Sequence, residues 1–328
     1  MGNVAGLNPV KISTFRLQMK KIKILGITFI LLGAVTTAII LFYPSQIQSV
    51  EVVKKQLTQP ESRFFQWKGA EIHYTDEGQG KIWVMVHGFG GSHRNFRKLT
   101  DKMKANYRVI RMDLPGFGLS DVPQEYIQSG DYASLYMDVL SFLQDSILRD
   151  SLSLVGNSMG GLISWQYTAT RGAKINQLVL LASAGFDMRE TAARATRVLQ
   201  SGAGQWLSKK GFPYWLVERN AQKCYYNPSL PNPNEINNNW LFWNRKGNID
   251  HAVKLAQYPV IPDTVLLRKI TVPVTVIWGR EDQIIPYTHA RRFQQLIPDC
   301  EVHVFPDCGH LPMSEKTDSV FSLIDRKR

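Results

Sequence analysis

The stretch Leu152–Gly161, LSLVGNSMGG, decides the fold class of this 328-residue chain. Residues 152–155 form a short run typical of a buried strand, and a helix-like segment begins at Met159. Between them stands Gly-x-Ser-x-Gly, which in this context predicts a sharp strand-to-helix turn that exposes a serine hydroxyl. Glycine is required on both sides because side chains there would collide with neighbouring backbone. A turn with a bystander serine is the alternative, but the context predicts that Ser158 is a nucleophile.

The rest of the chain repeats the alternation of strand and helix. Continuous apolar runs such as residues 82–86 are typical of strands that are buried on both faces of a parallel sheet. The predicted strands are 63–67, 70–75, 82–86, 107–112, 152–155, 177–181, 274–278 and 302–305. Apolar residues at helical spacing, as in residues 132–148 and 159–169, lie between several of them. The sequence therefore predicts an α/β fold with a mainly parallel eight-stranded sheet, formed by residues 61–185 and 263–328.

Residues 186–262 break this rhythm. They contain no convincing strand, a turn-rich stretch at 227–234, and tryptophans at positions 206, 215, 240 and 243. A segment of this kind between two core strands predicts a helical insertion. Its tryptophans fit either a bulky apolar substrate or ordinary packing.

Activation of a serine hydroxyl requires a base. His310 lies in DCGHLP, residues 307–312, directly after the last predicted strand, and Gly309 allows a sharp turn that would present its imidazole. This place in the chain fits the order serine, acid, histidine. The other histidines fit packed or solvated positions better. We therefore predict that His310 is the base.

The acid that orients this base is expected after the preceding strand. The segment WGREDQIIP, residues 278–286, supplies two neighbouring carboxylates there, Glu281 and Asp282. A carboxylate in that place would hold the imidazole in one tautomer and stabilise the imidazolium. The residues alone leave the choice between the two open.

The oxyanion of a tetrahedral intermediate needs backbone N–H donors. One donor is expected from Met159, directly after the nucleophile. The second is expected from the loop HGFGGS, residues 87–92, which follows a predicted buried strand. We predict that Phe89 is the second donor and interpret His87 as a residue that shapes the loop.

An uncharged run of twenty residues, Ile24 to Tyr43, lies near the N-terminus. It matches the ~20 residues that cross a ~30 Å hydrocarbon layer as a helix, and Pro44 would end that helix. A cleaved signal peptide is the alternative, but its apolar core would be shorter, about 7–15 residues. No A-x-A-like cleavage site follows the run. We predict an uncleaved transmembrane anchor that contacts membrane lipid.

The basic segment 1–23 sets the orientation of this anchor. Its five basic residues precede the apolar run, so the positive-inside rule places the N-terminus in the cytoplasm. The catalytic domain is then expected on the outer side of the membrane. Residues 44–60 are polar and are interpreted as a short stalk.

The formal net charge of the chain is +12. No basic stripe with interleaved aromatic residues is present, so a nucleic-acid partner is not expected. The chain has three cysteines, Cys224, Cys300 and Cys308, an odd and low number that does not form a disulfide framework. Their spacing does not suggest a zinc site either.

The motifs taken together resemble the α/β-hydrolase superfamily. They are HGFGGS (87–92), MDLPGFGLSD (112–121), GNSMGG (156–161), WGREDQIIP (278–286) and DCGHLP (307–312). The resemblance covers about residues 60 to 325. In combination with the apolar N-terminal run, it looks like membrane-bound monoacylglycerol lipases and related bacterial membrane-anchored lipases and esterases.

The resemblance implies that Asp282 is the acid and that residues 186–262 are a helical cap. It implies a serine carboxylic-ester hydrolase that works through an acyl-enzyme on a small-molecule or lipid ester, with no metal and no organic cofactor. Serine at the turn weighs against the haloalkane dehalogenases and epoxide hydrolases of this fold, which use aspartate there. The membrane anchor favours an ester substrate in the lipid phase.

Two other functions remain open. GNSMGG, residues 156–161, also looks like the meta-cleavage hydrolases, which split carbon–carbon bonds in vinylogous diketones with the same three residues. The second is a binding module, because some α/β-hydrolase folds have lost their catalytic residues. Here all three catalytic positions are filled, which weighs against a binding module.

Overall fold

The computed structural model describes residues 19–29, 31, 33, 42–186, 201–257 and 260–326. The chain divides into two compact units, residues 1–45 and residues 46–328. In the first unit, residues 19–29 are helical. Among the described residues, no helix is both long enough and apolar enough to cross a membrane. Half of the predicted anchor, residues 30, 32 and 34–41, lies outside the described residues, so the anchor stays a prediction.

The second unit is built around an eight-stranded sheet formed by described residues. The strands are β1 Ser62–Trp67, β2 Ala70–Glu77, β3 Ile82–Val86, β4 Arg108–Met112, β5 Leu152–Asn157, β6 Ile175–Leu181, β7 Val274–Gly279 and β8 Cys300–Phe305. Their spatial order is β1-β2-β4-β3-β5-β6-β7-β8. β2 is antiparallel to both of its neighbours, and the other adjacent pairs are parallel.

Helices connect most of these strands and form the insertion between β6 and β7. They are α1 Val50–Leu57, α2 Arg97–Met103, α3 Gln124–Ser129, α4 Tyr132–Phe142, α5 Met159–Arg171, α6 Gly202–Lys210, α7 Tyr214–Lys223, α8 Pro233–Asn244, α9 Asn248–Gln257, α10 His289–Leu296, α11 Pro312–Glu315 and α12 Thr317–Asp325. A 3₁₀ turn, His93–Phe96, precedes α2. α8 begins at a capping box in which the side chains of Asn232 and Glu235 satisfy each other's backbone N–H groups.

Helices pack on both faces of the sheet. All five residues of β3 are buried, and alternate side chains point to opposite faces. Ile82, Val84 and Val86 enter one hydrophobic cluster with residues of α4, α5 and α10. Trp83 and Met85 enter a second cluster with residues of α2 and α12. The prediction of a mainly parallel eight-stranded sheet with both faces covered is therefore confirmed.

The segment predicted as a stalk, residues 44–60, contains the helix α1. Val53 and Leu57, one helical turn apart, are buried in a cluster with Leu241 and Phe242 of α8. The stalk interpretation missed this helix because the polar composition of the segment outweighed the helical spacing of its few apolar residues. Most of the segment belongs to the second unit.

The insertion predicted at residues 186–262 consists of helices joined by loops where the structure describes it. Its described residues form α6 to α9 and no strand, whereas residues 187–200 and 258–259 lie outside the described residues. The Asn244 side chain at the end of α8 accepts the Phe212 N–H (2.7 Å) and donates to the Phe212 carbonyl (3.0 Å). The start of α7 is thereby fastened to the end of α8, and the two helices form one wall of the candidate active site.

Candidate active site

Ser158 stands on a sharp turn between β5 and α5. Its backbone has φ +55° and ψ −120°, a region that non-glycine residues adopt only at a cost in free energy. The Ser158 N–H donates to the Leu181 carbonyl (3.1 Å), and the Ser158 carbonyl accepts the Ala184 N–H (2.9 Å). These two hydrogen bonds, to the last residue of β6 and to the segment after it, hold the strained turn in place.

The glycines on either side of Ser158 allow a close approach of α5 to the sheet. A Cβ atom at Gly156 would lie 2.5 Å from the Gly160 carbonyl oxygen, and one at Gly160 would lie 2.1 Å from the Val86 carbonyl oxygen. No side chain fits at such distances. The first turn of α5 can therefore sit directly on β3 and β5, as the motif predicted.

His310 and Asp282 form a buried pair. The distance from His310 Nδ1 to Asp282 Oδ2 is 2.7 Å, and their side chains are 6% and 0% exposed. Asp282 Oδ1 accepts the backbone N–H groups of Ile284 (2.7 Å) and Ile285 (3.0 Å), which fixes the carboxylate. His310 Nε2 makes no hydrogen bond with any described residue. With Nδ1–H donating to Asp282, Nε2 is the nitrogen that can take a proton.

Glu281, the alternative acid, contacts a different group. Its Oε2 accepts the Cys308 N–H (3.1 Å), and its own N–H donates to the Cys308 carbonyl (3.0 Å). Glu281 therefore joins the loop after β7 to the loop that carries His310. Asp282 is the carboxylate brought to the imidazole, in agreement with what the family resemblance implies.

Ser158 and His310 line one cavity of about 150 Å³ between the core and the insertion, hereafter the Ser158 cavity. Among the described residues, no hydrogen bond joins the Ser158 hydroxyl to the imidazole. Such a bond is often long without substrate and tightens when the substrate binds. The nucleophile and the base predicted from the sequence thus share a cavity, and the contact between base and acid is already formed.

The two predicted oxyanion donors lie beside the nucleophile. Phe89 lines the Ser158 cavity, and its neighbour Gly88 packs on the turn, since a Cβ there would be 2.9 Å from Ser158 Cβ. Met159 begins α5, where backbone N–H groups lack acceptors within the helix. Neither the Phe89 N–H nor the Met159 N–H donates to a described group. Both are therefore available to a substrate oxygen.

His87 shapes the loop that carries Phe89. It is fully buried, its Nε2 accepts the Leu114 N–H (3.0 Å), and its Nδ1 lies 2.8 Å from the Gly88 carbonyl oxygen. Because Nε2 is an acceptor, Nδ1 carries the proton and donates to Gly88. Burial lowers the pKa of His87, which favours the neutral ring. One ring nitrogen is thus engaged by the loop itself and the other by Leu114, after β4, which ties the loop to the neighbouring strand.

Glu315 is a supporting residue that the sequence reasoning missed. Its carboxylate accepts the N–H groups of Gly309 (2.8 Å) and of Tyr226 in the insertion (2.8 Å). The His310 N–H also donates to the insertion, to the Cys224 carbonyl (2.8 Å). Burial raises the pKa of the Glu315 carboxyl. The loop that carries His310 is thus fastened to the insertion. A single glutamate five residues after the histidine gives no sign of this contact in the sequence.

The wall of the Ser158 cavity combines amide side chains with aromatic rings. Phe89 and Trp243 pack edge to face with ring centroids 5.9 Å apart. The polar side chains of the wall include those of Asn95, Asn220, Asn239 and Tyr225. No Arg or Lys among the described residues lines this cavity. An uncharged wall favours neutral substrate groups next to Ser158.

A buried cluster outside the Ser158 cavity contains side chains of the types that can bind a metal ion. Within the described part of the chain, His73, His93 and Asp113 form the one group of three such side chains within reach of each other. Asp113 Oδ2 lies 2.8 Å from His73 Nδ1, and Oδ1 lies 3.0 Å from His93 Nδ1. Burial opposes ionisation of Asp113, yet the two histidines hold the pKa of its carboxyl well below the usual value. Both Nδ1 atoms thus contact the Asp113 carboxylate, whereas His93 Nε2 is buried without a partner among the described residues.

The chain is similar to a known family and to several known proteins. A family model described as alpha/beta hydrolase fold matches residues 83–317. The 2-hydroxy-6-oxo-6-(2'-aminophenyl)hexa-2,4-dienoic acid hydrolase of Metapseudomonas resinovorans is 28% identical over 264 residues, which are 77% of this chain and 86% of that protein. A malate-bound esterase from Thermogutta terrifontis is similar in structure, with TM-score 0.63 and 24% identity over 78% of this chain and 93% of that chain.

A third similar protein is a membrane phospholipase A described as a bacterial virulence factor. Its crystal structure has TM-score 0.65 and 22% identity, and the match covers 95% of this chain and 97% of that chain. At this identity the likeness shows a shared fold. The hydrolase relatives indicate hydrolysis of a small-molecule substrate. Because the family model spans well over half of its length, the chain belongs to the alpha/beta hydrolase family.

Proposed function

We propose that the protein is a serine carboxylic-ester hydrolase that works through an acyl-enzyme. The observation that supports it best is the buried 2.7 Å contact between His310 Nδ1 and Asp282 Oδ2, with His310 lining the same cavity as Ser158. A base that is oriented by a carboxylate and placed next to a strained serine turn is the arrangement that activates a hydroxyl nucleophile.

The proposed reaction has two half-reactions. In the first, Ser158 Oγ attacks the ester carbonyl carbon while His310 Nε2 takes the hydroxyl proton. The N–H groups of Phe89 and Met159 donate to the oxyanion, and Asp282 stabilises the imidazolium. The imidazolium then gives its proton to the leaving alcohol. In the second half-reaction, water attacks the acyl-enzyme in the same way and releases the carboxylic acid.

Carbon–carbon bond hydrolysis by the same residues is the second candidate. It is favoured by the relative from M. resinovorans, which is named as the hydrolase of a hexadienoic acid. A substrate of that kind carries a carboxylate. The described wall of the Ser158 cavity offers no Arg or Lys, so a carboxylate held next to the reacting bond would be buried without a partner, which is costly. An ester with an uncharged reacting end fits this wall better.

A substrate panel tests this choice. The purified full-length protein would be given p-nitrophenyl esters from acetate to palmitate and, separately, a vinylogous diketone. We expect release of p-nitrophenol with saturation kinetics, because an uncharged ester can lie against Phe89 and Trp243 in the Ser158 cavity without an unpaired charge. We expect turnover of the diketone to be at least about 10-fold lower in kcat/KM, which corresponds to the loss of one favourable interaction with its carboxylate. Turnover of the diketone alone would exclude the ester proposal.

We also propose that residues 24–43 hold the protein in a membrane, with the N-terminus in the cytoplasm. Six described apolar side chains of this run are more than half exposed: Ile24 (63%), Leu25 (58%), Ile27 (58%), Phe29 (74%), Leu31 (59%) and Phe42 (82%). Exposed apolar side chains of this number call for an apolar environment. The likeness to the membrane phospholipase A covers 95% of the chain, more than residues 46–328 alone, and so extends into this segment.

A fusion experiment tests the orientation. A reporter enzyme that is active only outside the cytoplasm would be joined after Arg328. We expect an active reporter in the membrane fraction, because the basic residues before the apolar run retain the N-terminus inside. A matched reporter that is active only in the cytoplasm should be silent at the same position. An active cytoplasmic reporter would contradict the proposed orientation.

A further inference from the structure

A second cavity adjoins the Ser158 cavity. Its volume is about 180 Å³, and it shares three lining residues with the Ser158 cavity, Asn95, Tyr225 and Asn239. It lies between the start of α2 and the cap helix α8. The two cavities are therefore neighbours, with these three side chains between them.

The second cavity differs from the first in charge, because Arg94, Arg97, Lys98 and Glu235 line it. Two of these groups are engaged within the fold. Arg97 pairs with Glu61 (2.9 Å) and with Asp101 (3.3 Å). Glu235 accepts the backbone N–H at the start of α8 (3.0 Å) and so serves as a helix cap.

The positive charges of Arg94 and Lys98 are not neutralised in this way. Among the described residues, neither forms an ion pair with a carboxylate. One Arg94 nitrogen, Nη2, donates to the Leu57 carbonyl (2.9 Å), whereas its Nε is buried without a partner. Lys98 reaches only the Ser314 carbonyl (3.4 Å). Burial lowers the pKa of the Arg94 guanidinium, as expected for a cation without a counter-charge in contact.

We propose that the second cavity is a subsite for an oxyanion, a phosphate or a carboxylate, that the substrate carries at a distance from its reacting ester. A guanidinium and an ammonium both bind such a group through charge-assisted hydrogen bonds. Asn95, Tyr225 and Asn239 separate this group from Ser158, which leaves the reacting ester in an uncharged environment. The inference rests on the proposed ester hydrolysis and narrows its substrate to esters with a distal anion.

The test compares three esters of one fatty acid that differ only in the alcohol. They are the glycerol ester, which is neutral, the glycerol phosphate ester and the glyceric acid ester. The variants are Arg94→Gln, Lys98→Gln and Arg94→Lys, each in the full-length protein. Lys102→Gln is the control, because Lys102 lies one turn further along α2, pairs with Asp318 (2.8 Å) and lines neither cavity.

We expect Arg94→Gln and Lys98→Gln each to lower kcat/KM by about 10-fold for an anionic ester, as for the loss of one charge-assisted hydrogen bond. The neutral ester should change by less than about 2-fold, and Arg94→Lys should restore part of the loss. A loss with the phosphate alone, or with the carboxylate alone, supports the subsite and identifies its ligand.

Equal losses with neutral and anionic esters, or no loss with any, would overturn the subsite. Lys98 is exposed, so Lys98→Gln keeps the test valid if Arg94→Gln unfolds the protein. Hydrolysis of the neutral ester by the wild type shows that the proposed function holds even if the subsite fails. If the wild type hydrolyses p-nitrophenyl esters but none of these three esters, the subsite proposal falls and the proposed ester hydrolysis stands.

Discussion

Replacing Ser158 by alanine is expected to lower kcat for ester hydrolysis by about 10⁶-fold, the size of effect seen when a serine hydrolase loses its nucleophile. The physical reason is that no other described hydroxyl lies on the turn beside His310 and the two free N–H donors. The measurement is kcat with the best p-nitrophenyl ester. A residual rate above that of water is expected, because the oxyanion donors remain.

The control for this variant is Ser151→Ala. Ser151 is exposed and lies just before β5, at the end of the strand opposite to Ser158. It should keep wild-type activity. A fluorophosphonate probe should label the wild type and Ser151→Ala but not Ser158→Ala. Activity of Ser158→Ala within about 10-fold of the wild type would refute the nucleophile, and an unlabelled wild type would favour a binding module.

The second large effect is expected for Asp282→Asn, which should lower kcat by about 10⁴-fold while leaving KM nearly unchanged. Asparagine can keep the geometry of the site, but its uncharged amide no longer stabilises the imidazolium and can present an N–H to Nδ1. The imidazole would then hold its proton on Nε2, the nitrogen that must accept the proton of Ser158. The measurement is kcat over a range of pH with the same ester.

Glu281→Gln is a matched control for this variant, because it removes the neighbouring carboxylate charge and keeps an oxygen that can accept the Cys308 N–H. We expect its kcat to fall by less than about 10-fold, as for one altered hydrogen bond. The reverse ranking, with Glu281→Gln more damaging than Asp282→Asn, would show that the wrong carboxylate has been assigned as the acid.

The strands of the core were predicted closely because their pattern is local. β3 matches its predicted residues, 82–86, at both ends. All five residues are apolar and are buried on both faces of the sheet, so the ends of the apolar run coincide with the ends of the strand. β6 begins at Ile175, two residues before the prediction. The ends of a strand depend on which neighbour offers hydrogen bonds, and that neighbour is distant in the chain.

The helix predicted over residues 132–148 shows a similar limit. It is α-helical as far as Phe142 and continues as a π-helical turn, Leu143–Leu148. Within this turn, the Gln144 side chain accepts the Tyr167 hydroxyl (2.6 Å) and donates to the Lys174 carbonyl (3.0 Å). Apolar spacing does not distinguish the two helix types, and the partners of Gln144 come from other parts of the chain.

In the candidate site, the sequence indicated which side chains belong to the site but not which of them contact each other. Ser158 and the two glycines beside it follow from steric rules that apply within a few residues. The pairing of His310 with Asp282 rather than Glu281 depends on the direction of two successive side chains in a loop. The link from Glu315 to Tyr226 depends on how the cap packs on the core.

The sequence by itself determined the strand-to-helix turn at Ser158, the order of the motifs and the burial of the sheet, because backbone sterics and the spacing of apolar residues act over short stretches of chain. Only the tertiary structure decided which carboxylate meets His310 and which charged groups, such as Arg94, are left without a partner. Those outcomes depend on distances between residues far apart in the chain, which no local pattern records.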